Sequence, residues 1–354
     1  MQFGGIIFGF LTSLAISILS IPSIVTVARR KKLFDKPQGR KPRRKEVPTL
    51  GGLAIFAGTI ISLALFSDVS QFPELPYIIA GSVILFFIGI KDDILIIAPW
   101  WKLSGQVLAA GIISIVAGLK ITSLNMFPWM SEPGHTLAIL ITILVIVFII
   151  NSFNLIDGID GLASGIGICS SLVLGWIFIQ SGLMYYALLS FIFCGSLLGF
   201  FYYNVFSRKK KILMGDTGSL IVGFISSILV IRFIGLDNPA LAGVQISSPQ
   251  SLALAIFIIP VADMIKVIMT RISLGRSPFK PDRLHIHYRL IDLGLRHLQA
   301  TIVLLLINAV MVSGVLILQN LGETILTIIV ISCTILLYMI EWWLTKRQKK
   351  KIPT

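Results

Sequence analysis

Residues 137–164 read LAILITILVIVFIINSFNLIDGIDGLAS. The apolar run Leu137–Ile150 passes directly into a polar stretch carrying two carboxylates, Asp157 and Asp160, where a membrane-spanning helix would leave the bilayer. Acids at that depth are costly unless they serve a purpose. Asp157 and Asp160 are three residues apart, which sends both to one side if the segment is helical, and Asn154 would extend them into one strip of oxygen donors. Gly158 and Gly161 leave the backbone open to close approach. A single Asp-Gly pair reads best as a solvated turn. Three regularly spaced polar residues favour a site for a hard cation or a polar ligand, completed by carboxylates from elsewhere in the chain.

The rest of the sequence repeats the apolar theme. The chain has 354 residues, 56% hydrophobic and 13% charged, a balance that excludes a soluble globular domain and predicts an integral membrane protein. Eleven apolar runs recur: Phe3–Ala28, Leu50–Phe66, Tyr77–Ile90, Leu103–Leu119, Leu137–Ile150, Leu162–Ile179, Met184–Tyr203, Ser219–Ile234, Leu252–Thr270, Thr301–Leu318 and Thr324–Leu344. Of the 30 Lys and Arg, all but Lys120, Arg232 and Lys266 fall in alternate loops and the tail. Cations near short loops stay in the cytoplasm, so the N-terminus is expected outside and the C-terminus inside, with an odd number of spans. The expected fold is therefore all-α: a single polytopic membrane domain over residues 1–354 with about eleven transmembrane helices.

The net charge of +14 then describes a basic face suited to lipid head groups and phosphates, not a nucleic-acid platform. The first run carries its cations after it, at Arg29–Lys32, and reads as a permanent span, not a cleaved signal. Cys169, Cys194 and Cys333 lie in apolar runs without metal-ligand spacing and imply no disulfide.

The polar loops expected on the cytoplasmic side are 29–49, 91–102, 151–164, 204–219 and 271–298. The first holds ten cations, ending with Lys45 and VPTLGG; a stop-transfer cluster and a phosphate-binding role are equally good readings. The second opens with Asp92 and Asp93, which repel each other unless a cation lies near, while Trp100 and Trp101 suit an interfacial belt. Asn204 closes YYN, and Asp216 follows in GDTGS, either a helix cap or a further ligand. In Leu252–Thr270, Pro260 predicts a broken or bent helix, and Asp263 and Lys266 are placed to pair at i, i+3. The longest polar loop carries His285 and His287 among Arg271, Arg276, Lys280 and Arg283; soft ligands for zinc are lacking, so phosphate binding is the better role. His297 reads as a surface residue at a helix start.

These acids, amides and histidines come from different loops on one expected face. Together they supply oxygen donors for magnesium, or manganese, surrounded by cations for phosphates, which are the parts phosphoryl transfer needs. A lipid phosphate is the natural acceptor for such a site in a membrane.

The motifs VPTLGG at 47–52, Asp92–Asp93, NLIDGIDGLASG at 154–165, YYN ending at Asn204, MGDTGSL at 214–220 and GRSPFKPDRLHIH at 275–287 resemble the polyprenyl-phosphate N-acetylhexosamine-1-phosphate transferases, the glycosyltransferase 4 family, in the family's order. The resemblance implies ten or eleven spans in the bacterial inner membrane and an active site on the cytoplasmic face. It also implies transfer of a sugar 1-phosphate from a UDP-sugar to undecaprenyl phosphate, releasing UMP. The 275–287 segment looks like the branch that takes UDP-N-acetylglucosamine to begin O-antigen, enterobacterial common antigen or teichoic acid. UDP-N-acetylmuramoyl-pentapeptide is the alternative donor. One departure stands out: the family's pattern usually ends HIHH, and here Tyr288 replaces the last His.

For phosphoryl transfer, Asp216 is assigned as the strongest magnesium ligand, with Asp92 and Asp93 near the metal and the acceptor phosphate. The resemblance places Asp157 and Asp160 on the nucleotide-sugar side and makes Asn154 and Asn204 orienting residues. His285, His287, Arg276 and Arg283 hold phosphates or the sugar, and Lys45 a phosphate. An ion-coupled transporter ranks far below this: no internal repeat is visible, and the acids lie at helix ends instead of midplane breaks. The oligomeric state stays open, a homodimer included.

Overall fold

The computed structural model describes residues 3–33, 47–95, 97–236, 240–241, 244–277 and 284–351. In order, the helices are α1 (Phe3–Lys31), α2 (Gly51–Phe66), α3 (Leu75–Leu95), α4 (Pro99–Gly111), α5 (His135–Ile156), α6 (Leu162–Gln180), α7 (Met184–Phe201), α8 (Gly215–Ile234), α9 (Pro249–Ile256), α10 (Ile258–Ser273), α11 (Ile286–Asp292), α12 (His297–Ile317) and α13 (Glu323–Lys351). Single π turns extend α4 over Ile112–Val116 and α7 over Tyr202–Phe206. Among the described residues the only strands form a two-residue antiparallel ribbon, β1 (Ala240–Leu241) with β2 (Val244–Gln245).

Every one of the eleven apolar runs is helical. Among the described residues, seven helices are long and apolar enough to cross a membrane unaided, or eight if the bent pair α9–α10 is one span. The other runs are less self-sufficient: α2 has 16 residues, about 24 Å at 1.5 Å per residue, against a ~30 Å hydrocarbon core. Helix α3 carries Lys91, Asp92 and Asp93 just before its end at Leu95.

Helix α8 is the axis of the molecule. It packs against α2, α3, α5, α6 and α9, and it is buried along almost its whole length. In lipid, helices gain little from hiding apolar surface from one another, so close backbone approach must supply the packing. Small residues permit it. A Cβ on Gly52 would lie 2.2 Å from the Gly218 nitrogen of α8, and one on Gly223 would lie 2.5 Å from the Ile150 Cα of α5. The outer helices are the reverse: Val310 of α12 and Ile317 at its end are 70% and 77% exposed, apolar surface that faces the bilayer.

The bend expected from Pro260 is present. Helices α9 and α10 meet at Phe257 with a 69° change of direction. Proline has no N–H for the carbonyl four residues back. The freed carbonyls are taken from α12, where Asn308 Nδ2 donates to Ala255 O at 2.8 Å and to Ile256 O at 3.1 Å. The pairing expected of Asp263 with Lys266 does not form. Asp263 turns to the α11 side of α10, whereas Lys266 Nζ reaches Glu341 Oε2 of α13 at 2.7 Å. A buried carboxylate at full occlusion is better satisfied by an imidazole and a backbone amide than by one flexible ammonium.

Candidate active site

The site forms where the C-terminal ends of α3, α5, α7 and α10 meet the N-terminal ends of α4, α6, α8, α11 and α12. Its floor is the start of α8. Gly215 sits there at φ +73°, a conformation that favours glycine, and a Cβ on it would lie 2.0 Å from Thr49 O. The VPTLGG stretch braces this turn from behind: Leu213 N donates to Pro48 O, Gly51 N to Leu213 O and Gly52 N to Met214 O, at 2.8–2.9 Å.

The two adjacent acids of α3 diverge. Asp93 accepts from Asp216 N at 2.7 Å, Thr217 N at 3.1 Å and Thr217 Oγ1 at 2.6 Å, so it caps α8 and complements that helix's positive end. The capping role that the sequence allowed Asp216 thus belongs to Asp93. Asp92 takes different partners, accepting from Ile97 N at 2.7 Å and from Lys102 Nζ at 2.6 Å. The same ammonium lies 2.9 Å from Asp216 Oδ1. Asn154, at the end of α5, donates to that oxygen and to Ser219 Oγ at 2.8 Å.

Asp157 and Asp160 lie on a turn between α5 and α6, not on a helical face. Burial first, then the charges of Asp216, Asp93 and Asp160, hold the Asp157 carboxyl well above the usual carboxylate range. Asp160 is paired with Lys211 Nζ at 2.5 Å, and His297 Nδ1 lies 3.8 Å away at the start of α12. Asn204 keeps the turn in place. Its Oδ1 accepts from Gly161 N at 2.6 Å, and its Nδ2 donates to Ile212 O at 2.8 Å.

The histidines close the opposite wall. His285 Nδ1 is 2.7 Å from Asp263 Oδ2, and Asp263 Oδ1 accepts from Ile286 N at the same distance. The His285 and His287 rings stack at 11° with centroids 5.4 Å apart, an arrangement possible because His285 is still extended while His287 is in α11. His287 is fully buried, and among the described residues neither ring nitrogen has a hydrogen-bond partner. Its Nε2 points at Gly158, where a Cβ would lie 2.2 Å away. Burial pushes the His287 imidazole down to about 4, outweighing the attraction of Asp263, so it is neutral at physiological pH. Tyr288 packs its ring 4.3 Å from that of His287.

Asp92, Asp93, Asn154, Asp157, Asp160, Asn204, Asp216, His285 and His287 are thus assembled in one region. Arg276 is exposed just beyond α10, and Lys45 and Arg283 lie outside the described residues. Three contributors escaped the sequence reading: Lys102, Lys211 and His297. Lys102 carried the one usable signal, a lone cation shortly after an acid pair and just past the helix-starting Pro99.

Among the described residues no three carboxylates, imidazoles or thiolates converge as a ready-made metal cage. Asp93 is committed to α8, which leaves Asp92 and Asp216. That pair fits magnesium, which dehydrates reluctantly and is commonly held by one or two carboxylates plus substrate phosphates. The two acids already share one cation, so the charge and size of the seat suit another.

Glycosyl transferase family 4 matches residues 75–234, the segment from α3 to the end of α8. The chain is 31% identical over 318 residues to a probable undecaprenyl-phosphate N-acetylglucosaminyl 1-phosphate transferase of Bacillus subtilis (strain 168), covering 89% of this chain and 85% of that protein. It is 30% identical to the undecaprenyl-phosphate alpha-N-acetylglucosaminyl 1-phosphate transferase of Escherichia coli (strain K12), over 82% of this chain and 78% of that one. A decaprenyl-phosphate N-acetylglucosaminephosphotransferase of Mycobacterium leprae is 27% identical over 84% of this chain and 79% of its own length.

Proposed function

We infer the function from the premise that this chain belongs to glycosyl transferase family 4, among the polyprenyl-phosphate N-acetylglucosamine 1-phosphate transferases. It transfers N-acetylglucosamine 1-phosphate from UDP-N-acetylglucosamine to undecaprenyl phosphate, giving undecaprenyl-diphosphate-N-acetylglucosamine and UMP. This is an initiating step of cell-envelope polysaccharide synthesis. The observation that carries the reading is the meeting of Asp92 and Asp216 on one cation, with Asn154 on the same Asp216 oxygen.

The eleven helical runs are then spans of a bacterial inner-membrane protein, N-terminus outside and C-terminus inside. The helix ends that hold the site are also the ends that carry the cations, which supports a cytoplasmic active site.

The chemistry asks little of a base. A phosphate monoester has a second pKa near ~6, so the lipid phosphate is mostly dianionic at neutral pH and can attack the sugar-bearing phosphorus directly. The bond from that phosphorus to the bridging oxygen breaks, and UMP leaves with its electron pair. Magnesium, or manganese, held by Asp92 and Asp216 would neutralise the phosphates as they meet. The chain's own residues do the placing. Asp93 fixes the start of α8, Asn154 orients Asp216, and Asn204 holds the Asp157–Asp160 turn toward the nucleotide. His287, neutral and buried, offers a ring N–H to a phosphate or sugar oxygen across Gly158.

Purified protein assayed for UMP release with undecaprenyl phosphate and a panel of UDP-sugars tests the assignment. UDP-N-acetylglucosamine should be turned over and the muramoyl-pentapeptide nucleotide should not. Turnover of the pentapeptide nucleotide alone would reverse the donor.

A further inference from the structure

Lys102 is built into the site more deeply than a charge meant for solvent. It stands in the first turn of α4 with its side chain 18% exposed, and its ammonium is ligated by acids from two other helices. One ammonium contacts both carboxyls, and without a cation between them their charges repel. An ammonium 2.6 and 2.9 Å from the two oxygens and a magnesium ion at about 2.0–2.1 Å from its ligands cannot occupy that space together.

We propose that Lys102 is a positioning residue that fills the cation seat between Asp92 and Asp216 in the unloaded enzyme, and that the metal enters by displacing it. The inference rests on the reading that these two carboxylates are the metal's protein ligands. The seat is preformed because the ammonium keeps the ends of α3, α4 and α8 drawn together, and the displacement lowers metal affinity before substrate arrives. The consequence is opposite in sign to that of an ordinary supporting residue: removing Lys102 weakens the empty site but strengthens metal binding.

The test uses full-length protein without substrate. Manganese affinity is read from the free-ion electron paramagnetic resonance signal, and thermal stability is read with and without manganese, for wild type, Lys102→Met and Lys102→Gln. The expected result is about tenfold tighter manganese binding in both variants, since the competing state is gone. Their metal-free midpoints should be lower, and each should recover more than wild type when manganese is added. Folded variants that bind manganese no more tightly than wild type would overturn the displacement. Absence of manganese binding in all three proteins would instead bring down the metal assignment beneath it.

Discussion

The two walls of the site are held in opposite ways. On the wall made by α3, α4 and α8, the Asp92, Asp93 and Asp216 carboxyls each have several partners, on helices packed backbone to backbone. On the wall made by α10 and α11, one histidine is clamped by a buried carboxylate, and the next is buried with both nitrogens unpaired among the described residues. A satisfied polar network is rigid, and an unsatisfied buried polar group costs about 1–3 kcal/mol until something pairs with it. The first wall is therefore finished before substrate arrives, whereas the second is completed by what binds.

The comparison can be broken most severely at Asp216. Asp216→Asn should abolish UMP release, by about 10³-fold or more, because it removes charge aimed at the reacting phosphates. The thermal midpoint should stay close to wild type. Collapse of the fold in step with activity would mean that the acid is structural.

The second wall is probed by Gly158→Ala. The new methyl meets His287 Nε2, and displacing a binding group by about 1 Å can cost roughly 10²-fold in turnover. Wild-type kinetics in this variant would show that His287 does not face the substrate.

Asp160 and Asp93 sharpen the division further. Asp160→Asn should raise the Michaelis constant for UDP-N-acetylglucosamine by about ten- to hundredfold, the equivalent of roughly 1–3 kcal/mol for a lost polar contact. Asp93→Asn, which loosens the start of α8, should lower turnover at saturating nucleotide instead. Calorimetry of UDP-N-acetylglucosamine binding to each variant decides the matter, and equal losses of affinity would erase the distinction.

The smallest effect is on stability against pH. The His287 imidazole titrates at about 4 in the fold against 6.5 when free, so the unfolded chain binds more protons between those values. Its contribution is intact above pH 6.5 and is lost as pH falls toward 4, up to about 3 kcal/mol. His287→Gln should flatten the fall of the thermal midpoint in that window. An unchanged slope would place the titration elsewhere.

Much of this was legible before any coordinates. Apolar runs mark the helices because lipid demands continuous hydrophobic backbone-satisfied segments, and Pro260 marks the bend for an equally local reason. Acids at run ends mark the site. What stayed hidden was partner choice. Nothing local says that Asp263 passes over Lys266, one turn away, for a histidine beyond the next loop, or that Asp92 and Asp93 take different partners. The span count was hidden for a related reason: runs such as α2 and α3 are too short or too charged to declare by composition alone whether they cross.

The clasp between α10, α11 and α13, with Glu341 holding Lys266 at 2.7 Å and Arg289 at 3.7 Å, also has a bearing on biogenesis. A chain emerging from the ribosome builds its helices in order, so the acids of α3 and α8 can dock as soon as α8 is inserted. The histidine wall must wait for Asn308 of α12 and then for Glu341 of α13. A nascent chain thus assembles the acidic half of its site once α8 is in place, and the histidine half only after α12 and α13 have followed.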